Sequence, residues 1–195
     1  MPDILTYRQE FYRKLVHISS SAIAFLLWYF GKAILLPWLL LVSILLPLLD
    51  YLRKYFPRLQ QIYYNLFGII TRPNEYEGLS GASWVFMGAG VTVYLFNEKV
   101  AIIALLIMSL SDSAAALIGI KYGTTRLFNK SLEGTIAFFI TTYMILILLS
   151  PASLILTLIV AICTTVIELF CVPTINDNFL IPIVTALIMM LGGIH

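Results

Sequence analysis

Charge is what this chain has least of. Only 11% of its 195 residues are Asp, Glu, Lys or Arg, while 61% are hydrophobic and the mean hydropathy is +0.96. Soluble domains run near a quarter charged and half apolar, so an ordinary water-soluble domain is excluded. Cysteine is also scarce. Cys163 and Cys171 are the only two, and on one helix they would stand about 12 Å apart along its axis, too far for a normal disulfide. They read as small buried hydrophobes. No tandem repeat or low-complexity tract appears, which argues against a repeat array. Neither a Walker A loop nor a glycine-rich kinase loop followed by a strand is present, so the usual nucleotide-binding folds are excluded. The first apolar run lacks a small-residue cleavage pattern, and it is expected to act as an uncleaved anchor.

What the chain has instead is long apolar runs. A hydrocarbon core of about 30 Å takes about 20 helical residues. Seven stretches qualify, near 14 to 31, 33 to 51, 79 to 96, 100 to 120, 132 to 150, 152 to 171 and 177 to 194. Gly31-Lys32, Asn97-Glu98-Lys99, Ser150-Pro151 and Val172-Pro173 mark joints between them. In lipid every backbone group needs an internal partner, so runs of this length are helices. The expected fold is an all-α polytopic membrane bundle, a single integral membrane domain over residues 1–195 with about seven transmembrane helices.

The basic residues are distributed unevenly. With a cytoplasmic N-terminus, Arg8, Arg13, Lys14, Arg53, Lys54, Arg58, Arg72, Lys121, Arg126 and Lys130 fall on the inside, and only Lys32 and Lys99 fall outside. That asymmetry predicts a cytoplasmic N-terminus and, with seven spans, an external C-terminus at His195. Between Pro57 and Pro73, Leu59, Ile62, Leu66, Phe67 and Ile70 follow a helical period opposite Arg58, Gln61, Asn65 and Arg72. This pattern predicts one amphipathic helix lying in the interface.

Carboxylates sit where they are expensive. Asp112 falls inside the fourth span, where a charged residue costs about 2.5 to 3.5 kcal/mol on translocon scales, so something must compensate for it. Ser109, Ser111 and Ser113 flank it, and Ala115, Ala116, Gly119 and Gly123 continue the helix with small side chains that permit close packing. Glu168 is a second such acid, near the inner end of the sixth span. Asp50, Glu77, Asp112, Glu133, Glu168 and Asp177 all fall at one level of the bundle. Helix capping explains Glu133 or Asp177 individually, and an i,i+3 ion pair with Arg53 explains Asp50. Acids clustered beside Lys121, Arg126 and Lys130 also match what a magnesium-bound polyphosphate requires. Arg13, His17 and Ser20 or Ser21 share one helical stripe.

Asp112-Ser113-Ala114-Ala115-Ala116-Leu117-Ile118-Gly119-Ile120-Lys121-Tyr122-Gly123, followed by Lys130-Ser131-Leu132-Glu133-Gly134-Thr135, resembles the pattern of the CTP-dependent lipid alcohol kinases. That family includes dolichol kinase, phytol kinase and the CTP-dependent diacylglycerol kinases, distant relatives of the CDP-diacylglycerol synthases. Arg13-Lys14 with His17, and Glu168 with Asn176-Asp177-Asn178 and Pro182, agree with it. Ser111-Asp112-Ser113 departs from the frequent Gly-Asp-Gly, and Ile120-Lys121 from the frequent Arg-Arg or Arg-Lys.

The resemblance implies transfer of the γ-phosphoryl of CTP to the hydroxyl of a membrane lipid alcohol, either isoprenoid or glyceride, at the cytoplasmic face. Under it, Asp112, Asp177 and Glu133 hold Mg2+ or another divalent cation. Lys121, Arg126 and Lys130, together with Arg13 and Lys14, bind the nucleotide through its triphosphate. Ser131 and Gly134 offer backbone N–H groups to an oxyanion. Asp112 or Asp177 serves as base, with His17 as the alternative. Asn176 and Asn178 either orient the metal site or cap the last helix. A cytidylyltransferase making a CDP-lipid would use similar contacts. A small transporter is the reading from another class, opposed by outer span halves whose polar residues, such as Thr92, Thr141, Thr142 and Thr157, do not ionise. No nucleic-acid partner is expected, and the number of assembled protomers, a homo-oligomer included, stays open.

Overall fold

A computed structural model describes residues 6–72, 75–76, 78–128, 130–170 and 176–194. Glu77, Cys171, the Val172-Pro173 joint and His195 lie outside the described residues. The described chain is helical throughout except for one small hairpin. Its elements are α1 (Tyr7–Ser19), α2 (Ala22–Phe30), α3 (Lys32–Leu52), α4 (Pro57–Phe67), α5 (Gly81–Leu95), α6 (Glu98–Leu106), a π-helical turn (Ile107–Ser111) and α7 (Asp112–Tyr122). There follow β1 (Arg126–Leu127), β2 (Lys130–Ser131), α8 (Leu132–Leu149), α9 (Leu154–Leu169) and α10 (Asp177–Leu191).

Local chemistry sets the boundaries. Thr6 and Gln9 form a capping box at the start of α1. Ser80, Asn97, Ser131, Ser153 and Asn176 each accept a backbone N–H at the start of their helix. These side chains satisfy donors that a helix leaves orphaned at its N-terminus. Pro57 opens α4 at a position where its missing N–H costs nothing.

Three helices are long and apolar enough to cross a membrane: α3, the continuous rod Glu98–Tyr122 formed by α6, the π turn and α7, and α8. Gly81–Leu95, Leu154–Leu169 and Asp177–Leu191 are apolar but shorter. The single helix expected at 14 to 31 is divided at Ser20 and Ser21, because Ser20 N–H and Oγ–H both turn back to the His17 carbonyl, at 3.0 and 2.6 Å. The interfacial helix ends at Phe67 and buries none of its residues.

The rod is the axis of the bundle. In its most apolar 18-residue stretch 67% is buried inside the protein, against 11% for α3 and 28% for α8. Around it pack α2, α8, α10 and α1, with α3 and α9 further out. Val93, Ala104, Ile107, Met108, Phe138, Leu146, Ala161 and Met189 are fully buried in the core. Large apolar side chains also cover the outside, among them Trp28 at 71% exposure and Leu148 at 74%. Such a surface is stable in hydrocarbon and would associate in water.

Close packing is built from small residues. A Cβ on Gly134 would stand 2.7 Å from the Ala115 carbonyl, and one on Gly119 would stand 2.7 Å from Ser131 Oγ. The α7 and α8 backbones therefore meet through Gly119, Gly134 and Ala115. Gly88 does the same for α5 against Asn178 and Phe179 of α10.

Candidate active site

The rod carries Asp112 into the interior. The π turn inserts one extra residue per turn immediately before it, and such turns occur mostly where a helix is bent to a functional purpose. Lys14 Nζ of α1 is bonded to Asp112 Oδ2, and His17 Nε2 lies 3.3 Å from the same oxygen. His17 Nε2 also lies 3.1 Å from the Met108 carbonyl inside the π turn. Both neighbours of Nε2 are acceptors, which assigns the ring proton to Nε2 and leaves the lone pair of a neutral imidazole on Nδ1. The compensation that Asp112 requires is thus an ion pair with a residue 98 positions away. The cluster is closed: the Lys14 side chain is 4% exposed and that of Asp112 is 11%.

A second lysine is treated differently. Ser131 caps α8 from β2 of the hairpin, and this fixes Lys130 at the rim of the bundle. Its Nζ is bonded to Glu168 Oε1 of α9 and lies 3.1 Å from Asp177 Oδ2 at the start of α10. Here the lysine side chain is 25% exposed and Asp177 34%. Glu168 Oε2 is buried with no hydrogen-bond partner among the described residues. Burial alone would lower the Lys130 pKa. The carboxylates of Asp177 and Glu168, the Glu168 hydrogen bond and the farther charge of Asp112 outweigh it and raise the value above that of a free lysine. Asp112 therefore lies within electrostatic reach of the rim cluster.

The sequence pattern did not reveal the ionic frame that ties the N-terminal helix down. Buried Glu10 receives Arg13 Nε at 3.0 Å and Arg72 Nη2 at 3.3 Å. Burial pushes its carboxyl up, but the Arg13 hydrogen bond and the charges of Arg13, Arg72 and Lys14 hold it below the ordinary carboxylate value. Glu75, close by, moves the other way because burial dominates there. The only signal of this frame in the sequence is the i,i+3 spacing of Glu10 and Arg13.

The remaining expected residues are divided. Glu133 is not brought to Asp112 and Asp177, because its Oε1 accepts Thr124 N at 2.9 Å, Thr124 Oγ1 at 2.6 Å and Thr125 N at 3.2 Å, holding the loop against α8. Gly134 N–H is not open to an oxyanion, since Ser131 Oγ takes it at 3.1 Å as the helix cap. Lys121 and Arg126 are exposed, and neither forms an ion pair among the described residues. Asn176 Oδ1 accepts Asn178 N at 3.0 Å and caps α10, while Asn178 is buried. Asp50 accepts Ser80 N at 2.7 Å and Ser83 Oγ at 2.5 Å and faces Arg53 Nε at 3.3 Å.

Among the described residues no three His, Cys, Asp or Glu side chains converge to hold a metal. A complete protein cage for Mg2+ is thus not formed by Asp112, Glu133 and Asp177. What fits a cation is narrower. The unpartnered Glu168 Oε2 and the half-exposed Asp177 beside it offer the one or two carboxylates that Mg2+ uses when phosphates and water supply the rest.

The fold and these clusters define an α-helical membrane protein with two lysine–carboxylate clusters, one closed and one open. No protein-family model and no solved structure matches the chain. It is 36% identical over 143 residues to CTP-dependent diacylglycerol kinase 1 of Saccharomyces cerevisiae, covering 70% of this chain and 49% of that protein. It is 34% identical over 182 residues to an uncharacterised protein of Rickettsia prowazekii, covering 88% of each. CTP-dependent diacylglycerol kinase 1 of Schizosaccharomyces pombe is 28% identical over 138 residues, covering 68% of this chain and 63% of that protein. The chain shares a family with the Rickettsia protein, and it is similar to the CTP-dependent diacylglycerol kinases over part of their length. It spans about half the length of the Saccharomyces relative.

Proposed function

We propose that this protein transfers the γ-phosphoryl group of CTP to the hydroxyl of a membrane lipid alcohol, with diacylglycerol the first candidate and long-chain isoprenoid alcohols such as dolichol, polyprenol or phytol the next. Diacylglycerol comes first because the relatives that carry an activity in their names are diacylglycerol kinases. The observation that carries the reading is the rim cluster. A protonated Lys130 held by Glu168 and Asp177 can exchange those partners for the oxygens of a triphosphate.

The chemistry asks mainly for positioning and charge. The alcohol oxygen attacks the γ-phosphorus, the bond from that phosphorus to the β–γ bridging oxygen breaks, and CDP leaves. The alcohol proton passes to a base, for which His17 Nδ1, Asp112 and Asp177 are the candidates. Lys130 stabilises charge on the phosphoryl oxygens, and Lys121 and Arg126 attract the nucleotide from solvent. With Lys130 on the phosphate, Glu168 and Asp177 would be the residues to hold Mg2+, which would supply further neutralisation of the triphosphate. The Lys14–Asp112 pair fixes α1 against α7, and so sets His17 beside the reaction centre. The ten Lys and Arg residues on one side of the expected spans, against two on the other, support a cytoplasmic active site and N-terminus.

The test is incubation of the purified full chain with γ-labelled CTP, Mg2+ and a panel of diacylglycerol, dolichol, polyprenol, phytol and geranylgeraniol. Label transferred to one of these lipids is the expected result. Label from α-labelled CTP in the lipid would instead assign a cytidylyltransferase, and absence of both products would sink the kinase reading.

A further inference from the structure

A cavity of about 560 Å3 opens where α3 ends and α4 begins, lined by Arg53, Lys54, Pro57, Gln60 and Tyr76. None of these belongs to the Asp112 or Lys130 cluster. Its volume lies within the roughly 300–1,000 Å3 of small-molecule sites. The opening has a local cause: the chain leaves α3 through tight bonds from Lys54 N to Tyr51 O and Tyr55 N to Leu52 O, and Pro57 then starts α4 in a new direction.

Arg53 stands in the wall and is buried. Its Nη2 donates to the carbonyls of Glu75 at 2.6 Å and Gly78 at 3.1 Å, and its guanidinium lies 3.7 Å from the centre of the Tyr63 ring. Nε faces Asp50 Oδ1 at 3.3 Å without hydrogen-bond geometry, and Nη1 has no partner among the described residues. Gln60 Oε1, also buried, is left without a donor. A buried donor or acceptor left unpaired carries a desolvation cost; the Arg53 and Gln60 side chains line the cavity, and a small rotation that brings these two atoms to its surface lets a ligand remove that cost. Guanidinium groups match phosphate oxygens in geometry as well as charge. Lys54 adds an exposed cation at the mouth. Arg53 and Lys54 less Asp50 leave one net positive charge, which balances a singly charged phosphodiester.

The surroundings specify the source. The cavity lies at the end of apolar α3 and beside α4, whose Ile62, Leu66 and Phe67 are exposed. A ligand seated there has apolar surface next to it on which acyl chains can lie. We infer that this cavity binds the headgroup of an anionic, hydroxyl-bearing phospholipid, with Arg53 Nη1 and Lys54 Nζ on the phosphate and Gln60 Oε1 accepting from the headgroup hydroxyl.

Equilibrium binding to the full chain in neutral detergent tests this, independently of turnover. The probes are the dioctanoyl forms of phosphatidylglycerol, phosphatidylcholine and phosphatidic acid, together with glycerol phosphate. Phosphatidylglycerol is expected to bind about tenfold or more tightly than phosphatidylcholine, which lacks both net charge and a headgroup hydroxyl. Lys54→Glu, at an exposed position that leaves the fold intact, is expected to weaken phosphatidylglycerol about fivefold or more. Gln60→Leu is expected to reduce the preference for phosphatidylglycerol over phosphatidic acid. Glycerol phosphate binding as tightly as phosphatidylglycerol would overturn the lipid assignment in favour of a soluble phosphate. Unchanged phosphatidylglycerol affinity in both variants would overturn the site itself.

Discussion

The two lysine clusters use the same side-chain chemistry for opposite ends. Lys14 is sealed against Asp112 and His17, joining α1 to the central rod, whereas Lys130 sits at the rim between Glu168 and Asp177 and is partly exposed. A buried ion pair that loses one partner leaves a charge with nothing to solvate it, while a rim pair can turn to water or to an incoming anion. The sealed pair therefore holds the architecture and keeps Asp112 and His17 in place for the proposed chemistry, and the open one is free to take an incoming phosphate.

The sharpest way to break that comparison is Asp112→Asn, which leaves the Lys14 ammonium buried beside a neutral amide. It is expected to cost about 3–5 kcal/mol of stability and to abolish activity. Thermal unfolding in detergent measures the first, and the double variant Lys14→Met with Asp112→Leu should recover most of the stability but none of the turnover. An Asp112→Asn protein of normal stability would mean that the pair is not what seals α1 to α7.

Gly134→Ala probes the packing that lies between the clusters. The added Cβ would meet the Ala115 carbonyl at 2.7 Å, so α8 must shift from α7. A loss of about 1–3 kcal/mol is expected, with a fall in kcat because the shift moves Lys130 relative to Asp112. Unchanged melting and kinetics would show that the two backbones do not meet as closely as described.

Lys130→Ala leaves the buried Glu168 without its cation and is expected to cost about 1–2 kcal/mol of stability, less than Asp112→Asn because this cluster reaches water through Asp177. Its main effect should fall on nucleotide use, raising the KM for CTP about tenfold while leaving the KM for lipid nearly unchanged. If Lys130→Ala unfolds the protein as readily as Asp112→Asn, the division into a sealed and an open site is wrong.

The smallest effect concerns the frame around Glu10. Its folded pKa lies below the ordinary 4.5, so its ion pairs contribute stability that is present above about pH 4.5 and is lost as the pH falls through the lower folded value. Glu10 is buried but its partners Arg13 and Arg72 keep contact with water, so Glu10→Gln should cost under about 1 kcal/mol at pH 7 and nothing once Glu10 is protonated in the wild type. A difference between the two proteins that does not depend on pH would place the contribution in packing and not in charge.

Much of this was legible without coordinates. The helical class followed from composition and run length, and the capped joints at Asn97 and Ser131 were visible as polar breaks. The acids were recognisable as costly at their depth. Their partners were not. Asp112 demanded compensation, but nothing local identifies Lys14, which was expected among the nucleotide contacts and is instead sealed against Asp112. Glu133 looked like a metal ligand because its sequence position gives no sign that Thr124 and Thr125 fold back onto it. The π turn was invisible for a similar reason, since an extra residue in a helical turn leaves the apolar pattern of the rod unbroken.

The sequence by itself determined that the chain is a helical membrane protein, where most of its helices begin, and that its intramembrane acids need partners, because hydrophobic run length, capping and the cost of charge in lipid are local properties of residue type. The tertiary structure alone decided which lysine seals and which stays open. Burial and pairing depend on residues from four or five helices arriving together, Lys14 with Asp112 across 98 positions and Lys130 with Asp177 across 47. Only packing sets those distances, and the strength of an ion pair is fixed by how much water the packing leaves around it.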